Sequence, residues 1–345
     1  MIRVGLIGAG KMGISHLSIL GAHPDVEVVG VVDTSKFVNE VLDKYAPFET
    51  FYEIDKMLDK KYPDAVIVAV PTKNHASIVE KLLERGIHVF VEKPFCLNVS
   101  QGEMLVKNAK RHRVVNQVGY HNKFIATFEE VKRIVSKGYL GNITHFMGEA
   151  YGPVVTKKNN GSWRSNPNEG GGCLMDYASH VIDLINYLVS PINKVYGAIM
   201  KPLYSSFVDD AVYSLLETET KVTGVLSVNW SEETYRKMFT SITINGTEGK
   251  VICDSTELKV YFKSVRCPEG YTKGWNNKYI SELTPSVDFY LRGEEYSAQI
   301  DYFIKSILGE VPNDKNTFAS ALITDQVISK IKKNYEYNGQ NTIWR

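Results

Sequence analysis

The most constraining feature of this chain sits at its amino terminus. An apolar strand pattern over residues 3–7 runs directly into Gly8-Ala9-Gly10-Lys11-Met12-Gly13, and a helical pattern carrying Ile14, Leu17, Ile19 and Leu20 follows at once. Strand, glycine turn and helix in that order are what a dinucleotide fingerprint requires. Gly8 allows the tight turn, Gly10 lets a pyrophosphate approach the backbone, and Gly13 lets the helix pack closely on the strand. The phosphates then rest on the helix N-terminus, where Lys11 and Met12 begin the first turn. A second strand, residues 26–32, ends at Asp33, which lies 20 residues past Gly13, the distance at which an acidic group reaches the ribose hydroxyls. A carboxylate there repels a 2′-phosphate, so NAD is expected over NADP, with Lys36 nearby moderating the preference.

The alternation continues with helices near 36–44, 54–60, 75–85 and 100–111, Ser100 being the expected N-cap of the last. Strands near 49–52, 65–70, 88–91 and 115–120 separate them. Six strands with intervening helices fit a doubly wound parallel sheet. After Tyr120 the texture changes. One amphipathic helix, 125–137, precedes strands near 143–151, 194–200, 210–217, 223–230, 239–245, 250–254 and 258–262, with the turn Asn245-Gly246 marking a hairpin. A long helix follows Gly170-Gly171-Gly172 and runs to about Val189; residues 264–293 read as irregular; helices near 296–308 and 317–333 close the chain. A length of 345 residues favours two domains. The expected fold is α/β: a Rossmann doubly wound parallel sheet over residues 1–121, then a C-terminal α/β domain with a largely antiparallel open sheet over 122–345.

Composition excludes several function classes. A net charge of +1 with interspersed signs offers no basic stripe, so neither nucleic acid nor a membrane is an expected partner. Cys96, Cys173, Cys253 and Cys267 are widely separated and show no paired metal spacing, so no metal site is expected. The chain enters its first strand without a signal-peptide pattern, and a cytoplasmic location with reduced thiols is expected.

The β-branched run at 88–91 reads as a buried strand, and it ends in Glu92-Lys93-Pro94. Proline stops the ladder and biases Lys93 toward an extended backbone. Ligands of such sheets collect beyond the carboxyl ends of the strands, which is where Lys93 stands. Taken alone, these residues fit an exposed strand-end lysine as well. A cis bond before Pro94 is expected, as a means of holding a lysine there.

Gly8-x-Gly10-x-x-Gly13, Glu92-Lys93-Pro94 and Gly170-Gly171-Gly172-x-x-x-Asp176-x-x-x-His180, in that order, together resemble the glucose-fructose oxidoreductase and inositol dehydrogenase family, Gfo/Idh/MocA. The likeness covers nearly the whole chain, including VPTKNHASIVEKLLERGIHVFVEKP and SWRSNPNEGGGCLMDYASHVIDLINYL. The resemblance implies a sugar-like substrate and homodimers or homotetramers formed through the open face of the C-terminal sheet. Lys93, Asp176 and His180 match the family's catalytic lysine, aspartate and histidine. The implied cofactor set adds Pro71, Asn74, His75 and Glu92 to the glycine turn, Asp33 and Lys93. The implied substrate set joins Tyr120, Lys123, Trp163, Arg164 and Tyr177 to the catalytic three. Two departures stand out: Ala178 where the family often has glycine, and Lys123 where an arginine is common.

The chemistry suits these residue types. Four residues apart on a helix, Asp176 and His180 share a face, so the carboxylate can orient the imidazole. Histidine, with an unperturbed pKa of about 6.5, can take a hydroxyl proton, while a protonated Lys93 polarises the same oxygen. A lysine base is the variant reading. The expected activity is NAD-dependent oxidation of a secondary alcohol of a sugar, a sugar derivative, nucleotide-linked ones included, or a cyclitol. The alternatives are glycoside cleavage through transient oxidation and a non-catalytic NAD-binding sensor. Tyr271, Trp275, Tyr279 and Tyr290, in the stretch read as irregular, fit either a substrate-stacking role or a surface excursion.

Overall fold

The computed structural model describes residues 1–158, 161–287 and 293–337, so Tyr290 lies outside the described residues. By compactness the chain forms two units, residues 1–121 with 286–322, and residues 122–285 with the chain from Ile323.

The first unit is built on a six-stranded sheet. Its strands are β1 (Ile2–Ile7), β2 (Val26–Val32), β3 (Glu49–Phe51), β4 (Ala65–Val68), β5 (His88–Val91) and β6 (Asn116–Val118). Their order is β3-β2-β1-β4-β5-β6 and every pair is parallel. Helices α1 (Lys11–Ala22), α2 (Lys36–Tyr45), α3 (Ile54–Lys61), α4 (His75–Glu84) and α5 (Val99–His112) connect them. Asn98 rather than Ser100 caps α5, accepting from the Gln101 amide at 3.0 Å, because helical geometry already begins at Val99.

The strands are buried on both faces. Val66, Val68, Val89 and Val91 form one core with Phe95, and Leu6, Ile67 and Phe90 form the other. Sequence reasoning placed everything after residue 121 in the second domain. Residues 286–322 instead group with the first sheet, where the late helix α9 (Glu294–Leu308; α6 to α8 lie in the second unit) sets Ile300, Phe303 and Ile304 against Phe90. The Phe90 and Phe303 rings meet edge-on at 5.9 Å. Phe318, which begins α10 (Phe318–Tyr337), packs on Phe95 at 4.6 Å. An apolar helix face does not announce which sheet it covers. Asn316, in the left-handed region at φ +58°, closes the end of β6, its carbonyl accepting from Val118 and its amide donating to the Tyr120 carbonyl.

The second unit contains α6 (Ala126–Ser136), α7 (Ser179–Leu188) and α8 (Ile280–Leu283) around an eight-stranded sheet. Its strands are β7 (Ile143–Tyr151), β8 (Ile192–Lys201), β9 (Ala211–Thr218), β10 (Thr223–Asn229), β11 (Phe239–Gly246), β12 (Gly249–Asp254), β13 (Glu257–Phe262) and β14 (Gly274–Tyr279), in the order β14-β13-β12-β11-β7-β10-β9-β8. Only β7 and β10 run parallel. β14, carrying Trp275 and Tyr279, lies within the stretch read as irregular; its sequence GWNNKY shows too little apolar alternation to signal a strand.

Helix α7 covers one face of this sheet: a Cβ at Gly148 of β7 would come within 2.6 Å of the Val181 side chain. On the other face the register aligns Leu215, Val225, Met147, Thr243 and Ile252 in one row. Leu215 is 55% exposed and Ile252 39%. At the β8 edge, Lys330 Nζ and Asn334 Nδ2 of α10 donate to the carbonyls of Asn193 and Val195, at 3.0 and 3.3 Å.

The start of the Asp176/His180 segment is held by Asp209. Its carboxylate accepts from the Leu174 amide at 2.6 Å and leaves no room for a Cβ at Gly172, whose φ is +107°. Gly171 packs as tightly on the Arg164 carbonyl. Close packing therefore accounts for these glycines.

Two predictions follow from this packing. Phe303→Ala should destabilise the first unit by about 3–5 kcal/mol in urea denaturation, the cost of emptying a buried aromatic site. Burial, with Asp210 adding to it, pushes the Asp209 carboxyl up to about 6 against an ordinary 3.8. The folded state thus binds this proton more tightly than the unfolded one, and the stabilisation is full below pH 4 and lost as pH rises through about 6. Asp209→Asn should flatten the fall in stability between pH 4 and 7 by up to about 3 kcal/mol, and an unchanged slope would remove Asp209 as its source.

Candidate active site

In the first unit the glycine turn has the shape a pyrophosphate needs. Gly8 adopts φ +91°, and a Cβ on it would meet the Ala69 carbonyl oxygen at 2.6 Å. A Cβ on Gly13 would come within 1.9 Å of the Gly8 carbonyl oxygen, so α1 sits directly on the turn. At Gly10, by contrast, nothing lies within 4 Å of where a Cβ would stand. Helix α1 has no side-chain cap and no acid in its first turn, which leaves its first amides available to an anion. Lys11 is exposed there and Met12 half-buried. Asp33, at the end of β2, accepts from the Ala9 amide at 2.7 Å and the Ser35 amide at 2.8 Å, which fixes the carboxylate beside the turn. These residues fit a bound dinucleotide.

β5 delivers Glu92, Lys93 and Pro94 to the carboxyl edge of the same sheet. The Lys93–Pro94 bond is cis, as expected, and Lys93 is half-buried. Glu92, expected among the cofactor ligands, turns inward and is 8% exposed. Its Oε1 lies 2.6 Å from His16 Nε2, and its Oε2 accepts from the Lys93 amide at 3.2 Å. Burial alone would raise this carboxyl; the His16 hydrogen bond and the Lys93 charge hold it below the ordinary range instead. His75, also expected at the cofactor, is fully buried. Its ring nitrogens face main-chain carbonyls, Val70 at 2.9 Å on one side and Pro94 and Phe95 at 3.1 and 3.2 Å on the other. The ring thus ties the loop after β4 to the segment after β5, and burial lowers its proton affinity. Pro71 and Asn74 stand exposed in the same loop. Tyr120 belongs to the first core, with no exposed surface.

In the second unit Asp176 and His180 are 6% and 4% exposed. The segment expected as one α-helix opens with a π-helical turn, Leu174–Ala178, and becomes α7 at Ser179. Single π turns of this kind recur at functional sites. Arg164, in a short 3₁₀ turn Trp163–Ser165, stacks on Trp163 at 4.6 Å and donates from Nε to Asp176 Oδ2 at 3.1 Å. Trp163, Arg164 and Asp176 therefore form one connected group. Tyr177 is buried edge-on against Trp230, with its hydroxyl where a Gly152 Cβ would stand, and burial pushes its phenol well up.

Lys123, expected to meet substrate, is 3% exposed and paired with Asp183 at 2.8 Å. Burial raises the Asp183 carboxyl while the Lys123 charge opposes that rise. Lys123 is thereby tied to α7, which carries Asp183. His16, Asp183 and Asp209 were missed from sequence. His16 had a signal, a histidine on the buried face of α1; the two aspartates had none. Among the described residues no group of three or more His, Cys, Asp or Glu side chains is arranged to hold a metal ion.

The chain resembles known proteins over most of its length. Glucose-6-phosphate 3-dehydrogenase of Bacillus subtilis (strain 168) is 24% identical over 64% of this chain, and the match spans 59% of that protein's length. Inositol 2-dehydrogenase of Rhizobium meliloti (strain 1021) is 23% identical over 96% of this chain and 97% of its own. A solved levoglucosan dehydrogenase in complex with NADH and levoglucosan has the same fold, with a TM-score of 0.86, 21% identity and 97% of both chains covered. Residues 2–120 match the profile of an oxidoreductase family with an NAD-binding Rossmann fold, and residues 128–252 match the GFO/IDH/MocA C-terminal domain. The chain belongs to the Gfo/Idh/MocA family of NAD-binding oxidoreductases.

Proposed function

We propose that this protein oxidises a secondary alcohol of a sugar, a sugar derivative or a cyclitol to a ketone, using NAD. The observation that carries the reading is the intact cradle at Gly8, Gly10 and Gly13 on the sheet that also presents Lys93 at its carboxyl edge. The relatives' names, a glucose-6-phosphate and an inositol dehydrogenase, supply the substrate class.

NAD supplies the hydride acceptor. The chain's own residues handle the proton and the developing charge. Lys93, as an ammonium, donates a hydrogen bond to the substrate oxygen as negative charge builds on it. His180 takes the hydroxyl proton as general base. Asp176, itself held by Arg164, orients the imidazole and favours its charged form. Asp33 supports NAD over NADP, because a second anion beside its carboxylate would be repelled.

The quaternary reading is a homodimer or homotetramer through the open face of the eight-stranded sheet. The exposed row containing Leu215 and Ile252 supports it. A cytoplasmic location accords with four cysteines that no disulfide joins. Among the described residues no helix is long and apolar enough to cross a membrane.

Lys93→Ala and His180→Asn should each lower kcat at least about 100-fold on a sugar or cyclitol that the wild type oxidises. In His180→Asn, which lies outside the cofactor set, the Kd for NADH, read by fluorescence titration, should change less than about threefold. Nicotinamide absorbance gives the rate, and wild-type turnover in either variant would end that residue's assigned role.

A further inference from the structure

We infer that His16 and Glu92 form a buried couple that positions Lys93, linking the helix of the glycine turn to the lysine. The inference rests on the reading of Lys93 as the oxygen-polarising group. A carboxylate is costly to bury unless donors and charge compensate it. Glu92 is 8% exposed and stands immediately before Lys93. It meets His16 Nε2 at 2.6 Å with one oxygen and the Lys93 amide at 3.2 Å with the other. The Gly119 backbone closes against it so tightly that a Cβ there would lie 3.1–3.2 Å from the carboxylate carbon and both oxygens. The carboxylate cannot swing away toward that side.

His16 is equally confined. Its side chain has no exposed surface, Phe90 meets the ring edge-on at 5.1 Å, and Nδ1 has no hydrogen-bond partner among the described residues. This environment suits a ring that donates from Nε2 to Glu92. Nε2 is thus the ring atom through which His16 is tied to its surroundings. With burial opposed by the His16 hydrogen bond, Glu92 stands as a carboxylate beside Lys93.

The couple therefore does two things for Lys93. It pins the peptide amide of the lysine to a carboxylate fixed from α1, and it sets a permanent negative charge next to the ammonium. Because α1 is also the helix whose bare N-terminus follows Gly10, the elements that receive cofactor and lysine are held in register by one hydrogen bond. An apolar pair could fill the same space without the desolvation cost, so packing alone does not account for the choice.

The test uses the full-length protein, with Lys93→Ala measured alongside. In His16→Leu, which cannot donate, kcat per NADH-binding site should fall at least tenfold, with the Kd for NADH within threefold of wild type. Hydrogen exchange of the apo protein should show at least tenfold less protection in the peptide spanning 88–96, with the β4 peptide unchanged. His16→Gln, which keeps a donor, should restore both readouts to within threefold. Wild-type kcat and protection in His16→Leu would overturn the couple. If His16→Leu does not fold, Glu92→Gln decides: its amide cannot accept from both His16 and Lys93, and an unchanged kcat and protection there overturn the couple equally. Full activity in Lys93→Ala would instead remove the reading of Lys93, and inactivity of Lys93→Ala beside an unaffected His16→Leu would remove only the couple.

Discussion

The first unit depends on one close approach, that of α1 to the turn after β1. Only a residue without a side chain permits it, since a Cβ on Gly13 would stand 1.9 Å from the Gly8 carbonyl oxygen. Once the helix is seated at that depth, the amides after Gly10 face open space. One turn farther along, His16 reaches the interior of the sheet, where Glu92 ends β5. The same approach thus creates an electropositive helix end at one level and a buried hydrogen bond at the next. Asp33 fastens the turn from its other side through the Ala9 amide.

Buried carboxylates recur through the chain, and neighbours behave oppositely according to the donors around them. Asp209 accepts from the Leu174 amide and is pushed up by burial; burial also penalises Asp210, yet Asp210 is held below its ordinary range. The difference lies in what surrounds Asp210: amides of Leu203, Tyr204 and Ser205, the Ser205 hydroxyl and the Trp230 indole all donate to it. The principle is that hydrogen bonds to the charged form offset desolvation only when several converge. Glu92 reaches the same balance with fewer donors because one is a histidine ring and a lysine charge stands beside it.

Much of this was legible in the sequence, for identifiable reasons. Glycine spacing, the acid at 33 and the apolar runs of β4 and β5 are local signals, and they specified the parallel sheet. The proline after Lys93 likewise pointed to the cis bond. What escaped was long-range or polar. Nothing in the Glu294–Leu308 helix shows that Phe303 faces Phe90, more than 200 residues earlier. β14 was hidden by its asparagines. Lys123 and His75 read as ligands by position; that Asp183 pairs with one and main-chain carbonyls face the other follows from burial, which residue type does not announce.

The two polar side chains of α10 that reach the β8 carbonyls bear on how copies of this protein can associate. A terminal strand with unsatisfied acceptors is a template on which another chain can grow by cross-β addition. Lys330 and Asn334 occupy the acceptors of Asn193 and Val195, and the opposite terminal strand, β14, is rich in asparagine and lysine. Both routes to runaway polymerisation are thereby discouraged. The broad face of the sheet, proposed above as the contact between copies, presents no such open edge, and a contact made there is finite and self-limiting.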